Sequence, residues 1–297
     1  MLIPITDRIK MVKASTDVKL LVANSLLVED ERILLIDTGF GRGNVDTLKD
    51  IPVDYLVNSH FHEDHVMFNW VFPQAQLFVP LEDAEGISSR QTYIDWYGFQ
   101  VLGGQMVQDW IFEAFDWREY HTDNLFTEGH KWELGNTTVE ALHTPGHTKG
   151  HYSFWLEKER VLFAADVALT PTGPWYGNIT SDVDEFIASI KRLKALKPQV
   201  VVSSHRSLIE KNIEEQFDRY LEVIFEREEK LLKYLQTAHT LEEITAQKFL
   251  YGYQPAELVQ AFFERVHVYT HLRRLRNLGW VEESNGRYRT ASRGLSP

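Results

Sequence analysis

Cysteine is absent from this 297-residue chain. That absence excludes disulfide bonds and thiolate metal sites, so any bound metal must be held by histidine and carboxylate. No apolar run approaches membrane-spanning length, and the N-terminal residues MLIPITDRIKMVKAS contain no apolar signal core. A cytoplasmic protein without membrane contact is the expectation. Positive charge is also scarce. The formal net charge of -12 argues against a surface built as a whole to grip nucleic acid. Internal repeats and low-complexity segments are missing. Apolar material is not: 43% of residues are hydrophobic and 12% aromatic, ample for a core and inconsistent with disorder. At this length the chain forms one large domain or a main domain with an appendage.

Chemistry concentrates in His60-Phe61-His62-Glu63-Asp64-His65, directly after the apolar run Tyr55-Leu56-Val57 and two polar residues. That run reads as a buried strand, which places the cluster where a strand opens into a loop or a helix start. Imidazole and carboxylate together suit zinc, iron or manganese, whereas calcium and magnesium prefer oxygen alone. His60 and His62 can converge on one cation, while Asp64 and His65 face a second position. In a dry core without a metal the same groups would repel one another and resist desolvation. Three further candidates end strands: His147 in the turn Thr144-Pro145-Gly146-His147-Thr148, Asp166 after Ala165, and His205 after Ser204. Asp37, in Asp37-Thr38-Gly39, is strand-terminal too, although an Asx turn alone would explain it. Ligands gathered from the ends of several strands are how α/β scaffolds build sites. The histidines at 121, 130, 143, 151, 239, 267 and 271 read as structural or surface residues.

The spacing predicts a strand-rich start, with a hairpin of 18–28 and 32–36, a helix over 45–49, and strands at 55–57 and 76–79. Residues 82–125 interrupt this with aromatics at roughly helical spacing, among them Tyr93, Trp96, Tyr97, Trp110, Phe112 and Phe115. Gly103-Gly104 reads as the joint between two helices there. Ordinary packing accounts for most of these rings; a lid over a site or a dimer surface is the functional alternative. Two hairpins follow, 131–134 with 138–143 around Gly135-Asn136, and 152–156 with 160–164. A helix over 183–196 and a strand over 199–202 complete the main unit by about residue 207.

A long amphipathic helix is expected over 210–236. Beyond it, Thr240-Leu241-Glu242-Glu243 has the form of a capping box. Pro255 sits near the start of a second helix, and 266–278 forms a third whose buried face carries Leu272, Leu275 and Leu278. Residues 280–283 and 287–290 flank the turn Ser284-Asn285-Gly286. Three helices and a hairpin outline a winged helix. Residues 265–293 hold seven arginines against only Glu282 and Glu283, and Arg273, Arg274 and Arg276 are expected to be exposed.

Taken in order, Asp37-Thr38-Gly39, His60-x-His62-x-Asp64-His65, Thr144-Pro145-Gly146-His147-Thr148, Asp166 and His205 make the chain resemble the metallo-β-lactamase-fold hydrolases over about residues 15–207. The resemblance implies an α/β fold, a four-layer αββα sandwich over 1–207 with the aromatic insertion at about 82–125. A C-terminal helical and winged-helix extension then covers 208–297. It further implies that His60, His62 and His147 hold one metal, that Asp64, His65 and His205 hold another, and that Asp166 bridges both. Asp37 would orient a ligand. Two divalent ions are implied, zinc first, with iron or manganese as alternatives. The lack of cysteine excludes those β-lactamases that bind their second metal through it. Asp64-His65 with Asp166 points instead to the two-metal branch of glyoxalase II, lactonases and nucleases. Val66-Met67-Phe68 and Arg206 stand where many relatives carry glycine, which implies an altered pocket wall.

Catalysis would then rest on Asp64, Asp166 and Asp37 around a hydroxide bridging cations roughly 3.5–4 Å apart, which attacks a carbonyl or phosphoryl centre. The favoured reading is a soluble metal-dependent hydrolase of a small ester, thioester or lactone, with Trp175, Tyr176, Trp96 and His121 as candidate substrate contacts. One alternative is a nuclease or phosphodiesterase that holds nucleic acid with its basic C-terminal unit, like a subgroup of the superfamily resembling an animal endoribonuclease. Another is a mononuclear iron dioxygenase similar to persulfide dioxygenases, and a third is a binder in which the metal site senses a ligand. The implied partners are a small molecule first, nucleic acid through the C-terminal arginines second, and a second copy of the chain through the aromatic helices.

Overall fold

Two β-sheets laid face to face set the position of everything else. The computed structural model describes residues 1–15, 21–249 and 258–291. The first sheet runs in chain order through β1 (Leu2–Pro4), β2 (Ile9–Val12), β3 (Ser25–Glu29), β4 (Ile33–Ile36), β5 (Tyr55–Val57), β6 (Gln76–Pro80) and β7 (Leu125–Phe126). β1 to β4 form an antiparallel meander, after which β4, β5, β6 and β7 pair in parallel. The second sheet has β8 (Lys131–Glu133), β9 (Thr138–His143), β10 (Tyr152–Leu156), β11 (Val161–Ala165) and β12 (Val200–Ser203), ordered β12-β11-β10-β9-β8. β11 and β12 are parallel neighbours. β10 and β11 read YSFWL and VLFAA and are buried along their whole length, as strands with apolar layers on both faces must be.

Leu26, Val28, Leu34 and Ile36 of the first sheet meet Trp132, Val139, Phe154 and Phe163 of the second to form the central layer. The outer face of the first sheet is covered by α1 (Val45–Leu48), α2 (Glu63–Val66), α3 (Ala84–Ser88), α4 (Arg90–Tyr97) and α5 (Gln105–Ala114). Leu27, Leu35 and Leu56 pack there among Tyr93, Tyr97 and Ile111. On the outer face of the second sheet, α6 (Val183–Ala195) and α7 (Ile213–Tyr234) set Phe186, Ile190, Tyr220 and Ile224 against Leu162, Ala164 and Val201. The result is the expected helix–sheet–sheet–helix sandwich. α6 starts on Asp182, whose carboxylate accepts from the backbone N–H groups of Asp184 and Glu185. α7 buries Phe217, Tyr220, Ile224 and Leu231 at helical spacing.

The C-terminal unit comprises β13 (His239–Thr240), α8 (Leu241–Thr245), α9 (Leu258–Asn277), β14 (Val281–Ser284) and β15 (Arg287–Thr290), with sheet order β13-β15-β14. Thr240 and Glu243 form the reciprocal capping box. Leu235, Ile244, Leu272, Leu275 and Val281 make a small core of its own.

Four expectations need correction. The first strand of the expected hairpin, placed from residue 18, is β3 and begins at Ser25, two unexpected strands precede it, and residues 16–20 lie outside the described residues. Pro255 also lies outside them, but the second and third helices expected around it are continuous from Leu258 to Asn277. No glycine or proline interrupts that stretch. Its apolar pattern looks broken because α9 serves two cores, with Phe262, Phe263 and Val266 in the main one and Leu272 and Leu275 in the small one. Leu278 falls beyond the helix end and is 42% exposed rather than buried.

The arginines are the fourth correction. Arg273 donates to the backbone carbonyls of Ile179 and Ser181. Arg274 is ion-paired to buried Glu228 and to Asp184. Arg276 alone of the three is well exposed, paired with Glu283. A helix that packs on a large neighbour turns its basic residues inward wherever that neighbour offers carbonyls and carboxylates. Arg274→Met should therefore lower stability by about 2 kcal/mol in urea titration. That is below the ~3–5 kcal/mol of a fully buried broken pair, because the guanidinium still reaches solvent. Arg276→Met, at an exposed pair, should cost under about 1 kcal/mol.

Candidate metal centre

Asp37 follows β4 with φ 62, a left-handed conformation unusual for aspartate. It is held there because its carboxylate accepts from Ser59 N, Ser59 Oγ and His65 Nδ1, each at 2.7 Å. With its Nδ1 proton given to Asp37, His65 keeps Nε2 free to face the site. His60 Nδ1 lies 2.9 Å from Ser59 Oγ, which itself donates to Asp37, so one aspartate sets the orientation of both rings. Gly39 permits this closure: a Cβ there would lie 1.7 Å from the Asp64 carbonyl oxygen. Gly146, at φ 121, likewise lets the His147 turn press against the backbone of Phe186.

The seven candidate ligands meet at one edge of the sandwich, beyond the carboxyl ends of β5, β9, β11 and β12. His60 Nε2, His62 Nδ1 and His147 Nε2 lie 3.0, 2.9 and 3.2 Å from one another. Ligands about 2.0 Å from one tetrahedral cation would stand roughly 3.3 Å apart. Asp166 Oδ2 is 3.2 Å from His147 Nε2 and 3.3 Å from His205 Nε2, and Asp166 Oδ1 is 3.1 Å from His65 Nε2. Asp64 Oδ2 faces His205 at 3.5 Å and His65 at 3.8 Å. Two groups able to hold a cation result, His60/His62/His147/Asp166 and Asp64/His65/His205, with Asp166 reaching into both.

Among the described residues, Asp64 Oδ2, His65 Nε2 and Asp166 Oδ1 are buried without a hydrogen-bond partner. They face one another and the His205 ring at 3.1–3.8 Å as ion pairs, but none has a well-directed hydrogen bond. A divalent cation would give all three a partner, so the donor set fits one.

The electrostatics agree. Burial, reinforced by the neighbouring imidazoles, holds His60 and His62 well below the ordinary imidazole range, and burial brings His147 down to about 4. Three neutral imidazoles thus turn their facing nitrogens to one point. At His65 burial opposes charge, but Asp166, Asp37 and Asp64 outweigh it and raise the pKa; Asp166 leads the same effect at His205. Burial would raise Asp166, yet His205, His65 and His147 hold it well below the carboxylate range. The carboxylates here demand a positive charge, which protons or a divalent cation can supply.

Several supporting residues carry no motif and were not singled out from the sequence. His151, read as structural, accepts from Asp166 N at 3.0 Å while its Nδ1 faces Thr144 O, and burial lowers it to about 3. Asp83, inside the aromatic insertion, accepts from Phe61 N, Thr148 Oγ1 and Gly150 N and so ties the two histidine loops together. Asn178 lies within 3.2 Å of both His62 Nε2 and the His147 carbonyl. Glu63 takes the hydroxyls of Tyr93 and Tyr97. Only the spacing of His151, four residues after His147, was available in the sequence as a signal.

The candidate substrate contacts divide. Trp175 lines a cavity of about 450 Å³ that opens onto His62, Asp64, Asp166 and His205. Tyr176 is fully buried instead, its hydroxyl 2.6 Å from His271 Nε2, and does not line that cavity. Trp96 packs edge-on against Phe61 at 5.3 Å, on the face of α4 turned into the core. His121 stands in solvent beside Glu119, away from the site. Trp175 also links the site to α9. Its carbonyl is 2.8 Å from His147 Nδ1, and the next backbone N–H, of Tyr176, donates to His267 Nε2 at 2.9 Å. His267 Nδ1 in turn faces the Phe263 carbonyl.

Comparison with known proteins adds the ancestry of this arrangement. Residues 18–205 match the family model described as the metallo-beta-lactamase superfamily. The chain is 26% identical over 230 residues to a beta-lactamase-like protein 2 homolog of Caenorhabditis elegans, covering 74% of this chain and 66% of that protein. It is 27% identical over 153 residues to an atrochrysone carboxyl ACP thioesterase of Aspergillus fumigatus, covering 50% of this chain and 46% of that one. Both matches span less than two thirds of the relative's own length. In fold, it is similar to a metallo-beta-lactamase family protein from Thermus thermophilus, with TM-score 0.76 and 21% identity. That likeness covers 97% of this chain and 100% of the other, so it includes the C-terminal unit.

Two outcomes follow from the site. Asp37→Asn should weaken zinc binding by about 10–100-fold in competition with a chromogenic chelator, as loss of a ligand-orienting carboxylate does elsewhere. In the metal-free protein, His147 and His151 have folded pKa values of about 4 and about 3, below the ordinary ~6.5 of an unfolded chain. Their contribution is present above ~6.5 and is lost as pH falls through that window. The raised His65 and His205 contribute fully below ~6.5 and lose stability only as pH rises, so they do not mask it. The urea midpoint should fall between pH 6.5 and 4, less steeply than the histidines alone would give, because buried Glu63 and Asp83, raised to about 7 and about 6, take up protons in the folded state over the same range and oppose the loss.

Proposed function

Because the chain belongs to the metallo-beta-lactamase superfamily, we propose that it is a dinuclear, zinc-dependent hydrolase of a small ester, thioester or lactone. The observation that carries this reading is the cavity: one end is His62, Asp64, Asp166 and His205, and the rest is mostly apolar wall. A carbonyl compound fits such a space, its polar centre at the metal-facing groups and its remainder against the rings. The thioesterase among the relatives supports the same class. Nothing comparable favours nucleic acid. Among the described residues, the exposed arginines of the C-terminal unit, Arg276, Arg287 and Arg289, are ion-paired with Glu283, Glu243 and Glu282 respectively.

His60, His62 and His147 would hold one cation, Asp64, His65 and His205 the other, with Asp166 shared. Bound there, divalent cations supply Lewis acidity toward the carbonyl oxygen and acidify water to a pKa of about 7. The chain's own residues provide the rest. Asp37 fixes His65 directly and His60 through Ser59, so the ligand nitrogens need no reorganisation during turnover. His151 pins the backbone of Asp166, and Asp83 keeps the two histidine loops in register. Trp175 forms the wall that excludes bulk water beside His62 and His147. His205, the most open candidate ligand with a side chain 21% exposed, borders the cavity and marks where substrate enters. No side-chain nucleophile is needed.

Zinc-loaded protein should hydrolyse simple thioesters or lactones, lose activity to a chelator and regain it with zinc or manganese. Asp166→Asn should lower kcat/KM by at least about a hundredfold, roughly 2.7 kcal/mol of transition-state stabilisation. Cleavage of RNA with no turnover of acyl substrates would overturn the reading, as would a chain that takes up no transition metal.

A further inference from the structure

We infer that the cavity is a subsite for the hydrocarbon acyl chain of the substrate, and that α5 and α9 set its length. This rests on the hydrolase reading above and extends it to substrate class. The apolar wall includes Trp110, Ile111 and Phe115 from α5 and its C-terminal end, Val259 and Phe263 from α9, and Trp175 from the loop after β11. Trp175 and Phe263 are in ring contact at 5.1 Å, so the loop and α9 form one continuous surface. Trp110 is 39% exposed and gives the mouth an apolar rim.

Of the polar groups in the wall outside the metal-facing end, Gln260 Oε1 has no hydrogen-bond partner, whereas the cationic Arg227 is already engaged and does not call for an anionic substrate. Arg227 borders the cavity, but its guanidinium donates to the carbonyls of Pro174 and Thr172, both at 2.6 Å, and to the Tyr176 hydroxyl at 3.1 Å. The cavity therefore has metal-facing carboxylates and imidazoles at one end and hydrocarbon along most of the remainder. A carbonyl with an alkyl tail matches that division, and its tail would dehydrate the rings it covers. Neither helix of the wall belongs to the two-sheet body. α5 comes from the insertion and α9 from the C-terminal unit, so chain-length selection is separable from the chemistry.

The experiment is a chain-length series of acyl-N-acetylcysteamine thioesters, from acetyl to decanoyl, hydrolysed by the zinc-loaded full chain. Burial of each methylene is worth about fourfold, so kcat/KM should rise about that much per methylene until the cavity is full. Ile111→Trp and Val259→Trp, which add bulk to the cavity from α5 and from α9, should each lower the octanoyl-to-acetyl ratio by about tenfold or more. Two variants guard against one that fails to fold. Binding of a fluorescent undecanoic acid gives a readout free of turnover: decanoate should displace it, butyrate should not, and either variant should weaken it. Hydrolysis with a flat chain-length profile would overturn the inference and leave the hydrolase reading intact. Chain-selective binding of the fluorescent acid without hydrolysis of any thioester would do the reverse. A protein that neither hydrolyses the series selectively nor binds the fluorescent acid sinks the subsite outright.

Discussion

Buried carboxylates and imidazoles can share one spot only if their charges balance, and that requirement governs this molecule. Asp166 faces His65, His147 and His205 within about hydrogen-bonding distance, and Asp64 lies beside two of them. Left unbalanced in a low-dielectric edge, such a set would be expensive to fold around. The scaffold answers with rigid orientation. Four of the five candidate ligand rings have a partner at their other nitrogen: His65 at Asp37, His60 at Ser59, His62 at Asn178 and His147 at the Trp175 carbonyl. The strained φ of Asp37 and of Ala165, just before Asp166, is stored at the same edge. Backbone strain and ring orientation are two parts of one solution, because a ligand set this dense tolerates little movement.

Much of this was legible in the sequence, and the reasons are local. The short motif containing four of the candidate ligands is continuous, so spacing alone announced it. The remaining candidates sit at strand ends, where a strongly apolar stretch stops at a lone polar residue, and β11 ending at Asp166 is the clearest instance. Turn signals and the capping box of α8 placed elements to within a few residues, since the physics involved spans only a few bonds. What escaped depends on partners remote in sequence. Asp83 becomes part of the site only because the insertion folds back onto Phe61, Thr148 and Gly150. His151 looks like any histidine until Asp166 arrives opposite it.

The C-terminal unit illustrates the same limit from the other side. Its outline of helices and a hairpin could be read from apolar spacing, but its outward or inward faces could not. α9 buries residues on several sides because it is wedged between the main body and the small C-terminal core. A helix of that kind has no single apolar stripe, so apolar spacing reveals neither its continuity nor the inward turn of half-buried Arg273 and Arg274. The basic composition of this stretch is in good part structural: guanidinium groups satisfy carbonyls and carboxylates at an internal seam.

The bond between His267 and the Tyr176 backbone has a further consequence for how the molecule is made. α9 is the last helix among the described residues, yet it steadies the loop whose carbonyl orients His147. During synthesis from the amino end, the two sheets can condense while that loop still lacks its brace. The loop therefore gains its hydrogen bond to His267 only once α9 has left the ribosome and docked. A product cut short before α9 would keep every candidate ligand and the Asp37 anchor, but not the brace behind His147.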